Sequence, residues 1–282
     1  MGWRLRVLHT TRVSYAAPVR TSFNEARMTP LTLPTQITRD SRVEVGSGVP
    51  VWTYCDYWGT FVSVFDIAEP HQDLVIKAQS TVETDHAFPS ARPEQLPWTD
   101  LRAQASGGRL LEFLLTTPLT TLTPAVAATV IDAVRGADPV EAAEEIASRV
   151  RSQVSYMPGA TGVRTNAQEA WDQGQGVCQD LAHVTVALLR AAGLPARYVS
   201  GYLHADPSAG PGETAVGESH AWVEYWTGSW HACDPTTSAP VEERHVVVAR
   251  GRDYADVPPL KGIYHGAPTS ALAVTVEVTR LA

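Results

Sequence analysis

The chain has 282 residues, 44% of them hydrophobic and 18% charged, with a net charge of −8. That is enough for one large domain or two ordinary ones with a sizeable core, and the acidic balance without a Lys/Arg run argues against nucleic acid and anionic membrane as partners. Its three cysteines, Cys55, Cys178 and Cys233, show no CxxC spacing and so suggest neither a disulfide framework nor a zinc site. The N-terminus lacks a secretion-signal core and no apolar run approaches the roughly 18 residues of a membrane helix, so a cytoplasmic, reducing setting is expected.

Residues 1 to about 90 read as β. Trp3 to His9 alternates bulky apolar with polar residues, and similar runs recur at 41–45, 51–57, 59–65 and 73–83. Prolines and glycines separate them, which suggests an antiparallel sandwich. Trp52, Tyr54, Tyr57 and Trp58 are candidates for a ligand groove, but aromatics in strands are more often core, and core is the expectation. Pro89, Pro93 and Pro97 then mark a boundary. Beyond it the period is helical. Thr123-Pro124 reads as a helix start leading to Val134, with Gly136 as its stop. Asp138-Pro139 with Glu141 reads as a capping box, followed by an apolar face of Ala143, Ile146, Ala147, Val150 and Val154. A short helix is expected over 165–171.

Gly174 and Gly176 then flank Gln175 in a tight turn, and Cys178 stands at the first turn of a helix reaching Ala192. A thiol at a helix N-terminus meets partial positive charge and free N–H groups, which favour thiolate. A lone cysteine is also commonly a small buried apolar residue, and the local sequence leaves both readings open. Gly193-Leu194-Pro195 ends the helix and Ala196–Leu203 reads as a strand. Residues 204–217, rich in Gly and Pro, read as a mobile or extended loop. Residues 219–226 and 229–234 form a hairpin about Thr227-Gly228, and 270–278 is strongly β. A thiol nucleophile needs a base and a group to orient that base. Cys178, His220 on the first hairpin strand and Asp234 at the end of the second supply the three types.

Three motifs carry a resemblance. They are Gly176-Val177-Cys178-Gln179-Asp180 with Leu188 to Tyr202, Ser219-His220-Ala221-Trp222-Val223-Glu224, and Trp230-His231-Ala232-Cys233-Asp234-Pro235-Thr236. Together they resemble the transglutaminase-like superfamily. Tyr15, Pro18, Asn24-Glu25-Ala26-Arg27 and Pro30 are similar to the β domain preceding the core in bacterial members, as is the stretch Val248–Val257. Leu181 departs from the pattern, which has Phe there. The resemblance implies an α+β fold: a papain-like transglutaminase core over 97–282, including a helical segment, preceded by an N-terminal antiparallel β-sandwich over 1–96. It implies a Cys178–His220–Asp234 triad and acyl transfer through a thioester.

The expected activity is hydrolysis of a peptide or amide bond in a peptide or protein substrate. Amine-accepting glutamine transfer and a non-catalytic scaffold are the alternatives. No cofactor or metal is expected, since no dense oxygen-ligand cluster suits calcium. The Cys178 N–H is the first oxyanion donor, with Trp171, Gln173 and Gln175 as candidates for the second. His183 and Asp180, placed at N2 of the helix, are expected to be structural, and Arg197 to brace the core. Asp253 and Asp256 are read as turn formers. The β domain is left open as a gate, a polymer-binding surface or the contact of a homo-oligomer.

Overall fold

Alternation carries the first strand well past His9. In the computed structural model, which describes residues 2–46, 48–85, 95–237 and 239–282, β1 (Trp3–Val19) buries Trp3, Leu5, Val7, Val13 and Tyr15 and turns Arg4, Arg6 and Arg12 outward. It is followed by β2 (Thr21–Ala26), β3 (Gln36–Val45), β4 (Trp52–Cys55), β5 (Phe61–Ile67) and β6 (His71–Thr84). Then come α1 (Trp98–Ala105), α2 (Gly108–Glu112), α3 (Pro124–Ala133), α4 (Pro139–Gln153), β7 (Ser155–Tyr156), α5 (Ala167–Gln173), β8 (Gln175–Gly176) and α6 (Cys178–Ala192). The chain closes with β9 (Ala196–Leu203), β10 (Thr214–Gly217), β11 (His220–Trp226), β12 (Trp230–Cys233), β13 (His245–Gly251), β14 (Leu260–His265) and β15 (Thr269–Arg280). The class is α+β, as expected.

Two sheets form the sandwich. The larger has the order β10-β15-β1-β6-β3, the smaller β14-β2-β5-β4, and both are antiparallel. Val13, Tyr15, Val19, Met28, Phe65 and Ile76 fill the space between them. Neither sheet is made from residues 1–96 alone, because β10, β14 and β15 come from the far end of the chain. Of the three prolines read as a boundary, Pro89 and Pro93 lie outside the described residues. Pro97 precedes α1 in extended backbone.

The other half is a third antiparallel sheet, β12-β11-β9-β13, with α6 packed on it. Every residue of α6 from Gln179 to Arg190 is buried, so the helix is enclosed rather than amphipathic at a surface. Its core is continuous with that of β1: Leu5 and Val7 pack in the same cluster as Leu181, Leu188 and Val223. Leu181, the position that departs from the family pattern, is 2% exposed within it. No helix among the described residues is long and apolar enough to cross a membrane.

Several local expectations hold and others are corrected. Asp138 caps α4 by accepting from the N–H groups of Val140 and Glu141, both at 2.9 Å, and Glu141 returns the bond to the Asp138 N–H. Thr123 stands at the N-cap of α3 but makes no side-chain cap; its N–H donates to Gln168 Oε1 at 2.8 Å. The aromatic residues expected in the core are not there. Trp52, Tyr54 and Tyr57 are 60%, 43% and 58% exposed, since the first two lie on the outer face of an edge strand and the third in the turn after it. Trp58 is half-buried against Phe113. The stretch 204–217 ends in β10 rather than remaining a loop. Helices α1 and α2 escape a periodicity search because α1 buries only Leu101 and Ala105 and α2 buries none.

Candidate active site

The turn before Cys178 is built by the two glycines for different reasons. Gly174 ends α5 in the left-handed region, at φ 64°. Gly176 is needed for space, because a Cβ there would stand 2.7 Å from Asp180 Cβ. Between them, β8 pairs in parallel with β7 and fixes the approach to α6. Asp180 sits at N3 of α6, one position later than expected. Its carboxylate accepts from the Val177 N–H at 2.8 Å and from the Thr161 hydroxyl at 2.5 Å, so it caps the helix as anticipated. Burial raises its pKa against the pull of these bonds. Cys178 is left at N1, half-buried, with a backbone N–H that has no acceptor inside the helix.

The hairpin delivers the other two groups. His220 opens β11 opposite Gly201 of β9, where a side chain has no room: a Cβ would lie 2.6 Å from the Trp222 ring, on which His220 stacks. The β11–β12 ladder pairs Val223 with Cys233, so Asp234 leaves it one residue on and reaches back to His220. His220 Nε2 and Asp234 Oδ2 are 2.8 Å apart. That leaves Nδ1 for the thiol of Cys178. Burial alone would lower the His220 pKa, but hydrogen bonds with Asp234 and Cys178 and their charges outweigh it and raise the pKa to about 9.

Asp234 is itself held by more than the sequence suggests. Its Oδ1 accepts from the N–H groups of Thr236 and Thr237, and Oδ2 also accepts from the Thr237 hydroxyl at 2.8 Å. A second histidine, His245 of β13, places Nε2 at 3.4 Å from the same Oδ2. Its Nδ1 accepts from the Glu242 N–H, so the ring proton is on Nε2 and is donated to Asp234. Burial keeps His245 neutral by lowering its pKa. For Asp234, burial works to raise the pKa, and the bonds from His220 and His245 hold it well below the usual carboxylate range. Sequence reading missed His245 because it opens an apolar run, His-Val-Val-Val, with no local signature. Recognising β13 as the neighbour of β9 would have exposed it, since β9 also pairs with His220.

The remaining candidates fall outside the chemistry. His183 is fully buried, accepts from the Tyr254 N–H at 3.1 Å, and is held neutral by burial with a pKa of about 3. Arg197 braces the core as expected: it pairs with buried Glu224, which also binds Arg250, and covers the Trp230 ring at 3.8 Å. Asp253 caps a 3₁₀ turn over 254–256, and Asp256 holds Arg252. Trp171, Gln173 and Gln175 do not reach the cleft. Trp171 packs against the core, while Gln173 and Gln175 are exposed on the approach to the turn.

Cys178 and His220 open into a cleft of about 690 Å³ whose wall also includes Tyr156, Gln179, Tyr198 and Glu218. Tyr198 lies near enough to the thiol that the charge of Cys178 adds to burial in raising the tyrosine pKa. His220, Asp234 and His245 are the three metal-capable side chains that cluster among the described residues. Their polar atoms are already committed to one another.

The chain is similar to known proteins over both of its halves. Residues 128–235 match the transglutaminase-like superfamily, and residues 5–83 match the bacterial transglutaminase-like N-terminal region. An uncharacterised protein of Mycobacterium leprae is 43% identical over 280 residues, spanning 99% of this chain and 100% of the relative. A protein-glutamine gamma-glutamyltransferase of Pseudomonas aeruginosa is 37% identical over 83 residues, 28% of this chain and 12% of that one. Among solved structures, a Cytophaga hutchinsonii protein provisionally designated a cysteine protease superposes with a TM-score of 0.78 at 22% identity, covering 100% of this chain and 92% of that one. A cysteine at a helix start, a histidine–aspartate pair on the neighbouring hairpin and these matches place the chain in the transglutaminase-like superfamily, in the bacterial branch with an N-terminal β region and a cysteine-based activity.

Proposed function

We propose that the protein hydrolyses a peptide or amide bond through a thioester on Cys178, with His220 as acid and base and Asp234 as its orienting partner. The observation that carries this reading is the placement of His220 between Asp234 at 2.8 Å and Cys178, with its pKa raised to about 9. An imidazolium held at neutral pH stabilises a thiolate beside it. The thiolate attacks the substrate carbonyl carbon, and the Cys178 N–H, free at N1, donates to the developing oxyanion. The Nδ1 proton of His220 passes to the leaving nitrogen as the C–N bond breaks. Water then attacks the thioester and gives a proton to the neutral ring, the C–S bond breaks, and the acid departs.

A second reading exchanges that water for an amine, and the glutamyltransferase relative favours it. Incubating the protein with a peptide library, with and without a primary amine, separates the two. Acid product insensitive to the amine supports hydrolysis; amine adduct formed at the expense of acid overturns it in favour of transfer. Mass analysis of Cys178 during turnover tests the step common to both. An acyl adduct on that residue is expected, and turnover without one sinks the thioester.

A further inference from the structure

One face of β1 passes under three different covers. Leu5 and Val7 lie beneath the catalytic half, and Val13 and Tyr15 lie inside the sandwich. Between them His9 and Thr11 line the cleft that holds Cys178. The β1–β15 register continues these rows onto β15, pairing His9 with Val276, Thr11 with Val274 and Val13 with Leu272. Val276 is 2% exposed, but Val274 is half-buried and Leu272 is 63% exposed, and all three line the same cleft. The sheet therefore overhangs the active site as an apolar shelf that rises from the buried core toward solvent.

Two further features describe what would rest there. On the side away from β1, β15 is paired only by β10, and that ladder ends at the Gly217–Val276 pair. The backbone edge beside Val274 and Leu272 is thus open among the described residues, in line with a strand whose chain leads directly to His220. An extended peptide can add to such an edge. Of the residues that line the cleft, none is Lys or Arg, and Glu218 is the one carboxylate, so a substrate carboxylate near the thiol would meet no counter-charge except His220. Val216, Val163 and Tyr156 on the rim are each more than half exposed.

We infer that the β15 shelf is the substrate-binding wall of this enzyme, and that it receives an uncharged apolar side chain of an extended peptide. The inference rests on the reading of Cys178 as nucleophile and assigns the β region a direct part in choosing the substrate. The order of selectivity is apolar, then polar, then anionic.

The test is the rate at which Cys178 is inactivated by three tripeptide chloromethyl ketones, acetyl-Leu-Leu-Leu, acetyl-Ser-Ser-Ser and acetyl-Asp-Asp-Asp, with iodoacetamide as the reagent that needs no wall. Burial of each methylene is worth roughly a factor of three to four in affinity, so the leucine reagent should exceed the serine reagent by about tenfold or more. Leu272→Asn should remove most of that advantage and leave the iodoacetamide rate unchanged. Ile263→Asn, similarly exposed but outside the cleft, should change neither. Equal rates for the leucine and serine reagents, or an advantage that survives Leu272→Asn, overturns the shelf while the nucleophile stands. Failure of iodoacetamide itself to favour Cys178 overturns the underlying reading of the site.

Discussion

Cys178 and Cys233 stand in different relations to one carboxylate. Asp234 bonds His220, keeps a proton on that ring, and so places a positive charge against Cys178. Cys233, one residue before Asp234 on β12, has no such intermediary. Burial and then the negative charge of Asp234 push its thiol up to about 12. On the proposed mechanism, reactivity in this fold is a property of what stands between the thiol and the charge, not of proximity to the charge. Cys55, exposed on an edge strand, is the solvent-accessible thiol against which the other two can be compared.

The largest expected effect comes from removing the reactive member. Cys178→Ser should lower acyl transfer by about 10⁴-fold or more, as loss of a nucleophile does elsewhere. In the unmodified protein, iodoacetamide followed by mass mapping should find Cys178 first, Cys55 later and Cys233 last. Alkylation of Cys233 as fast as Cys178 would break the comparison.

Asp234→Asn should move the two thiols in opposite directions in a single variant. His220 loses the charge that holds its proton, so the alkylation rate of Cys178 and the turnover of any acyl substrate should fall, by roughly 10²- to 10⁴-fold. Cys233 loses its repelling neighbour and should become more reactive in partly denaturing conditions. The amide also turns a donor toward His220, His245 or Thr237, so the melting temperature should fall as well. A variant in which both thiols slow equally would show that the aspartate acts only through folding.

The three residues proposed as the triad were legible in the sequence by position, because each marks a boundary: Cys178 a helix start, His220 a strand start, Asp234 the residue after a hairpin. Their supports were not. The Thr236 and Thr237 N–H groups bond Asp234 through a local turn two and three residues on, but His245 comes from an apolar strand with no local sign of it, and only the order β11-β9-β13 brings it close. The sandwich was legible from alternation, but not its composition. β2 buries Ser22 and Asn24, which hydrogen-bond each other, so its buried face is polar and shows no apolar alternation. β14 and β15 join sheets begun more than 200 residues earlier, and pairing at that separation leaves no trace in local pattern. The second oxyanion donor was sought on the approach to Cys178, where exposed Gln173 and Gln175 turn out to lie off the cleft.

Titration offers a smaller, global test. His220 is raised from about 6.5 in the unfolded chain to about 9, so its contribution to stability is full below 6.5 and is lost as pH rises through 9. Buried His183 and His9, lowered to about 3 and about 4, contribute fully above 6.5 and lose that contribution as pH falls through their folded values. Asp234, also lowered, loses its share only at still more acid pH. Thermal unfolding followed from pH 4 to 10 should therefore show a maximum near pH 6.5. His220→Gln should flatten the stretch between pH 6.5 and 9 and leave the steeper loss above 9, where Cys233 ionises only in the unfolded chain; a variant curve that keeps its decline between 6.5 and 9 would remove His220 from the balance.

His245 gives the finest test of how Asp234 divides its charge. Because its Nε2–H and that of His220 share one oxygen, each donor on Oδ2 reduces the charge left for the other. His245→Phe removes a neutral donor without adding a charge. The upper inflection in the pH dependence of Cys178 alkylation, which follows loss of the His220 proton, should then move up by about half to one pH unit, the worth of one hydrogen bond. His245→Gln, whose amide N–H can occupy the place of Nε2–H, should restore the original inflection. If the phenylalanine variant melts earlier but keeps the inflection where it was, His245 serves packing against Trp222 and takes no part in setting the charge. If the inflection moves and the glutamine variant brings it back, the orienting carboxylate is tuned from behind by a histidine that never meets the substrate.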